Sequence, residues 1–567
     1  MTRIIERPFD ASAAQTLIEQ GMLAPLARAL AARGIHHIDE MTLDWKGLIP
    51  PSQLEGTDLA AARLLEAREK GESVTIVADY DCDGATACTI AIRGLTTMGL
   101  HVSYVVPDRV TQGYGLTPEL VDIVKERFSP QLIVTVDNGI TSVAAVEHAK
   151  ALGIDVIVTD HHLPGEEEPA ACCIVNPNRK GCSFPSKNLA GVGVMFYVLL
   201  ALRALMREKG YFTAQTQPRL DQWVDLVALG TVADVVKLDK NNRILVAQGL
   251  KRVRAGKALP GLSALFTVAR KKTEAASVRD FGFAIGPRIN AAGRLSSMES
   301  GIECLLADQE TVALSFAQEL NLFNSERQEL ETEMQQCAEE VIASCNMSER
   351  YTLSLFNEHF NEGVVGLVAS RVKDRIHRPV FAFAPSESGF LKGSGRSIPG
   401  IHLRDTLDLV ARDLGGAIMR FGGHAAAAGL TLKAGAFNDF QHAFEQIVRE
   451  NCSRELFERV VYTDGPLVPS DITEALITDI DERIWGQAFE APLFSNEFRV
   501  VRQTVLKEAH LKLVLDLEGK LFEGIFFRRN TPLPAVARLA YRPNVNEYMG
   551  RRQLQLQIEA VEESTHI

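Results

Sequence analysis

The stretch S-V-T-I-V-A-D-Y-D-C-D-G, Ser73–Gly84, decides the fold. Its first six residues form an apolar, β-branched run, the pattern of a strand buried on both faces. Asp79, Asp81 and Asp83 then alternate where that strand must end, and Gly84 opens a helical pattern. The same order repeats downstream in V-T-V-D-N-G at Val134–Gly139 and V-I-V-T-D-H-H at Val156–His162. Strand-like runs at Ser73–Ala78, Val102–Val106, Leu132–Val136 and Val156–Thr159 alternate with helical patterns such as Leu116–Glu126 and Ser142–Leu152. That alternation predicts βαβ units and a mainly parallel sheet, extending to about residue 300. Ligands of such sheets bind outside the carboxyl ends of the strands, where these polar residues fall.

Outward from this block, residues 1–50 close in the breaker cluster G-L-I-P-P. From Asp308 to about Ala343 the chain is rich in Glu, Gln, Leu and Ala, without Gly or Pro, and predicts one long helix connecting two lobes. A second α/β block follows from Tyr351 to about residue 450. The tail, about 455–567, carries alternating runs (Leu511–Leu515, Leu521–Phe527, Leu554–Ile558) that predict a small β-barrel or sandwich. The 567 residues, 46% hydrophobic and 23% charged, fit several globular domains and exclude a largely disordered chain. Nine cysteines, an odd number with no C-x-x-C, fit a cytoplasmic protein better than a disulfide framework. The longest apolar run, Leu189–Leu202, is shorter than the roughly 18 residues of a membrane span, and the opening residues carry no secretory signal. A net charge of −12 argues against a uniformly basic DNA-coating protein and leaves nucleic acid open.

The chemistry lies in the strand ends. Asp79, Asp81 and Asp83 together repel strongly unless cations sit among them. An EF-hand fails on its count, because its twelfth position is Ile90 where a bidentate Glu is needed. Alone, Asp137-Asn138-Gly139 reads as an ordinary turn, a single His after a strand as structural, and Asp234 after the apolar run Leu226–Ala233 as a helix-end residue. Beside one another at strand ends they read as ligands. Carboxylates with one or two imidazoles and no thiol suit Mn²⁺ or Mg²⁺, and so many carboxylates suit two ions that clamp both oxygens of a phosphoester displacement. No G-x-x-x-x-G-K-[ST] occurs, which leaves hydrolysis without an NTP motor.

Asp79-x-Asp81-x-Asp83, Asp137-Asn138-Gly139, Asp160-His161-His162 and Asp234 resemble the four motifs of the DHH phosphoesterase superfamily. G-P-R-I-N-A-A-G-R at Gly286–Arg294, K-G-S-G-R-S at Lys392–Ser397, G-G-H-A-A-A-A-G at Gly422–Gly429 and H-L-K at His510–Lys512 narrow the resemblance to the RecJ family of bacterial single-strand-specific 5′→3′ DNA exonucleases. The fold this implies is α/β, with a parallel-sheet DHH domain and a DHHA1-type domain joined by a long helix, plus a C-terminal OB-fold-like β domain. The expected boundaries are an N-terminal segment 1–50, a catalytic domain 51–300, the helix 301–345, a substrate-binding domain 346–453 and the OB-like domain 454–567. The resemblance implies that Asp79, Asp81, Asp83, Asp137, His161 and Asp234 hold two Mn²⁺ or Mg²⁺ ions, with Asp137 bridging. It implies that His162 reaches the scissile phosphate and that Asp160 orients a neighbouring His. Recombination and repair, a single-strand-binding protein and a helicase as partners, a single-stranded DNA 5′ end as substrate and a cytoplasmic monomer are implied in the same way.

For recognition of that end, the candidates are Arg109, Arg288, Asn290, Ser394, Arg396, Gly423 and His424. Arginine forks and a hydroxyl are the chemistry for a terminal phosphate, although any one of these arginines alone reads as a surface ion pair. Glycines flanking Ser394 and Arg396 are expected to let backbone N–H groups approach phosphate oxygens. Lys507, Lys512, Arg528, Arg529, Arg551 and Arg552 are candidate strand contacts in the tail. One departure stands out: where relatives often carry Trp-His before G-V-V-G at Gly363–Gly366, this chain has Phe360-Asn361, with His359 one place early. Two rival readings remain at this point. Shorter two-lobed superfamily hydrolases lack the roughly 110 tail residues, and a noncatalytic scaffold would have lost motif ligands that this chain keeps.

Overall fold

A parallel sheet forms because its strands are apolar along their whole length and must be covered on both faces. In the computed structural model, which describes residues 2–108, 113–347, 349–386, 389–548 and 551–563, the strands are His101–Val105, Ser73–Ala78, Leu132–Val136, Asp155–Thr159 and Cys173–Val175, in that spatial order and all parallel. Leu132–Val136 is buried throughout, and Ser73–Ala78 at every residue after the first. Val77, Ile133 and Val158 join one core cluster with Leu120, Val121, Val124 and Val146 from the helices Pro118–Phe128 and Val143–Ala151. The helix Cys82–Thr97 packs on the sheet and on Gly191–Glu208, which is buried over its first nine residues, Gly191–Leu199. The chain moves outward from Ser73–Ala78 to His101–Val105, then reverses to Leu132–Val136. The crevice of the sheet therefore lies between Ser73–Ala78 and Leu132–Val136, at their carboxyl ends.

This sheet belongs to a compact unit of Ile38–Ser325 with Arg483–Ala491. The expected fourth apolar element is a helix, Val224–Ala233, and Asp234 is its C-cap. Of the expected helix 301–345, Glu310–Ser344 is one long helix, and Glu299–Leu306 is a separate helix before it. Among the described residues no helix is long and apolar enough to cross a membrane.

The second unit comprises Met1–His37, Glu326–Glu482 and Pro492–Ile567. Its mixed sheet runs Ile418–Gly423, Ala427–Lys433, Phe390–Arg396, Val380–Pro385 and Leu353–Phe356, with only the last pair parallel. Phe381, Phe383, Phe440 and Phe444 fill the core beneath it in edge-on, tilted and stacked pairs, with centroids 5.1–5.9 Å apart. The tail closes into a five-stranded barrel of Phe494–Leu506, His510–Leu517, Lys520–Phe526, Arg551–Val561 and Val536–Tyr548. Strict alternation along His510–Leu517 turns Leu511, Leu513, Leu515 and Leu517 into the barrel. The opening strand Thr2–Glu6 pairs in parallel with Arg459–Thr463. Beside it Arg33 grips Asp464 through two hydrogen bonds, Nη1–Oδ1 at 2.7 Å and Nη2–Oδ2 at 3.1 Å, with both side chains buried.

Removing one partner of such a pair leaves a buried charge uncompensated, at a cost of about 3–5 kcal/mol. Asp464→Ala is therefore expected to lower the midpoint of the calorimetric transition of this unit, with the transition of the other unit unmoved; an unchanged profile would show that the pair does not tie the N-terminal helices to the chain after Arg459–Thr463.

Candidate metal centre

Strand register sets the three motif aspartates abreast. Ala78 faces Val136, and Val136 faces Thr159, so Asp79, Asp137 and Asp160 follow at the same level on strands roughly 4.8 Å apart. The ladder continues one step further: the Asp79 amide donates to the Val136 carbonyl (3.3 Å), Asp137 to Thr159 (3.0 Å) and Asp160 to Val175 (3.1 Å). Asp81 caps the helix Cys82–Thr97, its Oδ1 accepting from the amides of Asp83 (2.9 Å) and Gly84 (3.0 Å). Asp83, in the first turn, accepts from the first two amides of the helix Gly191–Glu208, Gly191 (2.6 Å) and Val192 (2.9 Å).

Asp137 holds a left-handed backbone, φ 63°, at the end of its strand. Residue 191 has to be glycine there, because a Cβ would lie 2.5 Å from the Asp137 Cβ. His161 Nε2 stands 3.1 Å from Asp137 Oδ1 and 3.4 Å from Asp234 Oδ2. Three sets of side chains place their ligand atoms within 4.8 Å of one another: Asp79, Asp81 and Asp137; Asp83, His161 and Asp234; Asp137, His161 and His162.

Asp160 is occupied otherwise. Its Oδ2 accepts from the Ile140 amide, and its Oδ1 from the amides of His161 and His162 and from His162 Nδ1 at 2.7 Å. Burial opposes its ionisation, but the hydrogen bond and charge of His162 outweigh burial and hold its carboxyl below the usual range. The two histidines diverge. Burial and then the charge of His162 push His161 down to about 4, so it is a neutral imidazole. Burial also works against a charged His162, yet its bond to Asp160 and the charges of Asp160, Asp79 and Asp81 raise it to about 9. Burial first, then the neighbouring carboxylates, raises Asp83 to about 7 and lifts Asp137 and Asp234 well above the carboxylate range.

Several supporting residues carry no signal in the motif reading. Tyr114 Oη lies 3.3 Å from the Asp137 carbonyl oxygen and 3.3 Å from His162 Nδ1, its ring edge-on to His162 and to Tyr80. Its place between two glycines, in G-Y-G at Gly113–Gly115, is the clue the sequence carries. Asn176 and Asn178 donate to the carbonyls of His162 (2.9 Å) and His161 (2.6 Å), fixing the His-His backbone. They follow the strand Cys173–Val175, too short for periodicity to reveal.

Of the end-recognition candidates, Asn290 Oδ1 accepts from the Cys82 amide at 2.7 Å, inside the D-Y-D-C-D turn. Arg288 donates to Asn321 Oδ1 (3.0 Å) and the Ala284 carbonyl. Arg109 lies outside the described residues. Ser394, Arg396, Gly423 and His424 gather in the second unit. Arg396 Nη1 donates to Ser394 Oγ at 3.1 Å, and both side chains lie against Gly366 of G-V-V-G. Gly423, φ 140°, turns the chain into His424, whose amide donates to the Ala427 carbonyl at 2.8 Å. The glycines of K-G-S-G-R serve a purpose other than the one expected: Cβ atoms at Gly393 and Gly395 would fall 2.4 and 2.3 Å from the rings of Phe383 and Phe381. The strand's alternation thus spends its glycines on the aromatic core and turns Ser394 and Arg396 to the opposite face. In the barrel, Lys512 pairs with Glu523 (3.4 Å) and Arg552 with Glu474 (3.4 Å).

Family models match in three blocks: the DHH family, N-terminal domain at residues 73–231, the DHHA1 domain at 348–450 and the RecJ OB domain at 463–560. The "Single-stranded-DNA-specific exonuclease RecJ" of Escherichia coli (strain K12) is 45% identical over 557 residues, covering 95% of this chain and 96% of that protein. The chain belongs to the RecJ family. Among solved structures, RecJ of Thermus thermophilus in complex with Mn²⁺ matches with a TM-score of 0.84 at 28% identity, covering 100% of this chain and 80% of that one. The same protein in complex with Mg²⁺ matches with a TM-score of 0.77 at 26% identity, covering 99% of this chain and 78% of that one. Against the RecJ pattern, the departure at Phe360-Asn361 resolves into packing: Phe360 is buried, and Asn361 Oδ1 accepts from the Gly363 amide at 2.8 Å.

The residues of this RecJ-family centre fit divalent cations. Asp137 Oδ1 and His161 Nε2 are buried and make no hydrogen bond. Their neighbours are carboxylates whose repulsion only positive charge relieves, and hard oxygens with imidazole are the donors Mn²⁺ takes.

The raised carboxylates also set a pH dependence. Their native pKa values lie above the unfolded value of about 4, so the metal-free native state holds more protons and its stability falls as pH rises from about 4 through about 7. Calorimetry in EDTA should show a midpoint that drops across this window, with Mn²⁺ restoring it more at the alkaline end; a midpoint flat with pH would refute the crowding.

Proposed function

We propose that this chain is a metal-dependent, single-strand-specific DNA exonuclease that works 5′→3′ and releases 5′ mononucleotides in recombination and repair. The observation that carries the reading is the convergence of Asp79, Asp81, Asp83, Asp137, His161 and Asp234 at the carboxyl ends of adjacent parallel strands, in a chain that matches RecJ over nearly its whole length. In this reading those six residues would hold two ions, with Asp137, which joins Asp79 and Asp81 on one side and lies 3.1 Å from His161 on the other, as the shared ligand. When bound, two divalent cations supply Lewis-acid stabilisation of the attacking and leaving oxygens of an in-line phosphodiester displacement. Asp160 fixes His162 through Nδ1 and keeps it protonated at neutral pH, so His162 presents a positive charge to the scissile phosphate. His161 stays neutral and is free to act as a nitrogen ligand.

Arg396 and Ser394, with Arg288, Arg109 and the Gly423-His424 turn, bind the strand and its terminal phosphate. Asn290 acts from behind, by holding the Cys82 amide and with it the D-Y-D-C-D turn. In this reading residues 51–300 carry the chemistry, and residues 346–453 and 454–567 hold the strand. The enzyme acts as a cytoplasmic monomer, on substrate supplied by a helicase and a single-strand-binding protein.

The test uses 3′-labelled oligonucleotides, single-stranded and duplex, with Mn²⁺ or Mg²⁺ and an EDTA control. Progressive shortening of the single strand from its 5′ end, with the duplex spared, is expected. Cleavage confined to fragments of two to five nucleotides, or binding without cleavage, would overturn the reading. Asp137→Ala should abolish hydrolysis while the strand still binds, because the bridge is lost and the strand contacts are not; loss of binding in a folded variant would contradict this. Arg396→Ala should slow 5′-phosphorylated ends more than 5′-hydroxyl ends, and equal loss on both would take Arg396 out of the phosphate site.

A further inference from the structure

Asp234 is the one ligand candidate that does not follow a strand of the sheet. It caps the helix Val224–Ala233, and the next residue, Val235, adopts a left-handed backbone with φ 60° although it is β-branched and 64% exposed. Such a conformation persists only when its surroundings impose it. One anchor is local: Asn242 Nδ2 donates to the Lys237 carbonyl at 2.9 Å. The other comes from far along the chain. The Leu238 amide donates to the Gln487 carbonyl at 2.8 Å, and the buried Leu238 side chain packs so closely on Gly486 that a Cβ there would lie 2.5 Å from it.

Gln487 belongs to the segment Arg483–Ala491, which packs with the metal-centre unit while the residues on either side of it belong to the other unit. The segment is folded back on itself by reciprocal amide-to-carbonyl bonds between Gly486 and Phe489 and by the Trp485 ring stacked 5.2 Å from Phe489. Its fastening is a cation–π contact: the Arg243 guanidinium sits 3.9 Å above the Phe489 ring. Arg243 is buried, its Nε makes no hydrogen bond and its Nη1 meets the soft Met41 sulfur, so the ring joins the charges of Asp239 and Glu40 in stabilising this desolvated cation.

We infer that the segment Arg483–Ala491 is a positioning strap for Asp234, holding the strained Val235 turn through Leu238 so that the carboxylate faces His161 and Asp83. This rests on the proposed reading of Asp234 as a ligand. Gly486, Gln487 and Phe489 are then positioning residues, acting through Leu238 and Arg243 rather than as ligands.

The test is Mn²⁺ titration of the full chain, read by the electron paramagnetic resonance of free Mn²⁺, with single-turnover hydrolysis alongside. Gly486→Val, which cannot pack on Leu238, and the milder Phe489→Leu, which leaves Arg243 without its ring, are expected to weaken one Mn²⁺ by about 10–100-fold, the range for residues that orient ligands. Saturating Mn²⁺ should restore kcat, with KM for the oligonucleotide unchanged. If both variants titrate like wild type while Asp234→Ala loses an ion, the strap inference is overturned and the ligand reading stands. If Asp234→Ala itself titrates like wild type, the ligand reading fails and the inference with it. Because linkage is reciprocal, Mn²⁺ added to the unaltered protein must also slow hydrogen exchange at the Leu238 amide and across 486–489. No added protection there overturns the inference whatever the variants do.

Discussion

Carboxylate repulsion at one end of one sheet is the constraint on which the rest of this structure depends. Asp79, Asp81, Asp83, Asp137 and Asp234 bring oxygens within 4.8 Å of one another or of a shared imidazole. Two carboxylates about 5 Å apart repel by roughly 3 kcal/mol at an effective dielectric of 20, so the cluster opposes folding by itself. The chain offsets this locally. Asp81 and Asp83 each take two backbone amides at helix N-termini, where the helix dipole favours negative charge. Beneath them the strands are filled with fully buried Val and Ile, each worth about 1.5–3 kcal/mol. What remains uncompensated, Asp137 Oδ1 against His161 Nε2, marks where cations belong.

Around that cluster, nearly every group that aims a functional side chain is itself a polar group spent on backbone. Asp160 binds three amides and one imidazole, Asn176 and Asn178 hold the carbonyls of the histidine pair, and Asn290 holds the Cys82 amide. This arrangement separates two adjacent histidines by several orders of magnitude in proton affinity. His161 stays neutral through burial and a positive neighbour, whereas His162 is held as a cation by Asp160. One D-H-H triplet thus sets a neutral imidazole beside a charged one. In the second unit the same economy operates by strand alternation, Gly393 and Gly395 accommodating Phe383 and Phe381 while Ser394 and Arg396 face away.

Much of this is legible in the sequence, for identifiable reasons. Strands buried on both faces are unbroken β-branched runs, so pattern alone places Ser73–Ala78 and Leu132–Val136 to the residue, and the long helix Glu310–Ser344 to within two residues at its start and one at its end. Cys173–Val175 escapes it because three residues carry no periodicity. The barrel strands Phe494–Leu506 and Val536–Tyr548 escape it because Arg, Asn and Pro interrupt their alternation, and the pairing of Thr2–Glu6 with Arg459–Thr463 because nothing local announces a partner so distant. Asp234 reads equally well as a helix-end residue, which it also is.

Local pattern specified the strand-end chemistry: which aspartates and histidines follow apolar runs, and hence which side chains a parallel sheet delivers to its carboxyl edge. Which of them face one another, and which are spent on backbone, follows from the packed fold. Register between strands, the amides of Gly191 and Val192 reaching Asp83, and Gln487 reaching Leu238 are contacts between segments far apart in the chain. Local pattern encodes burial and direction, because those depend on neighbours one to four residues away. Partnership across long loops is chosen by packing, and leaves no mark in either partner's own sequence.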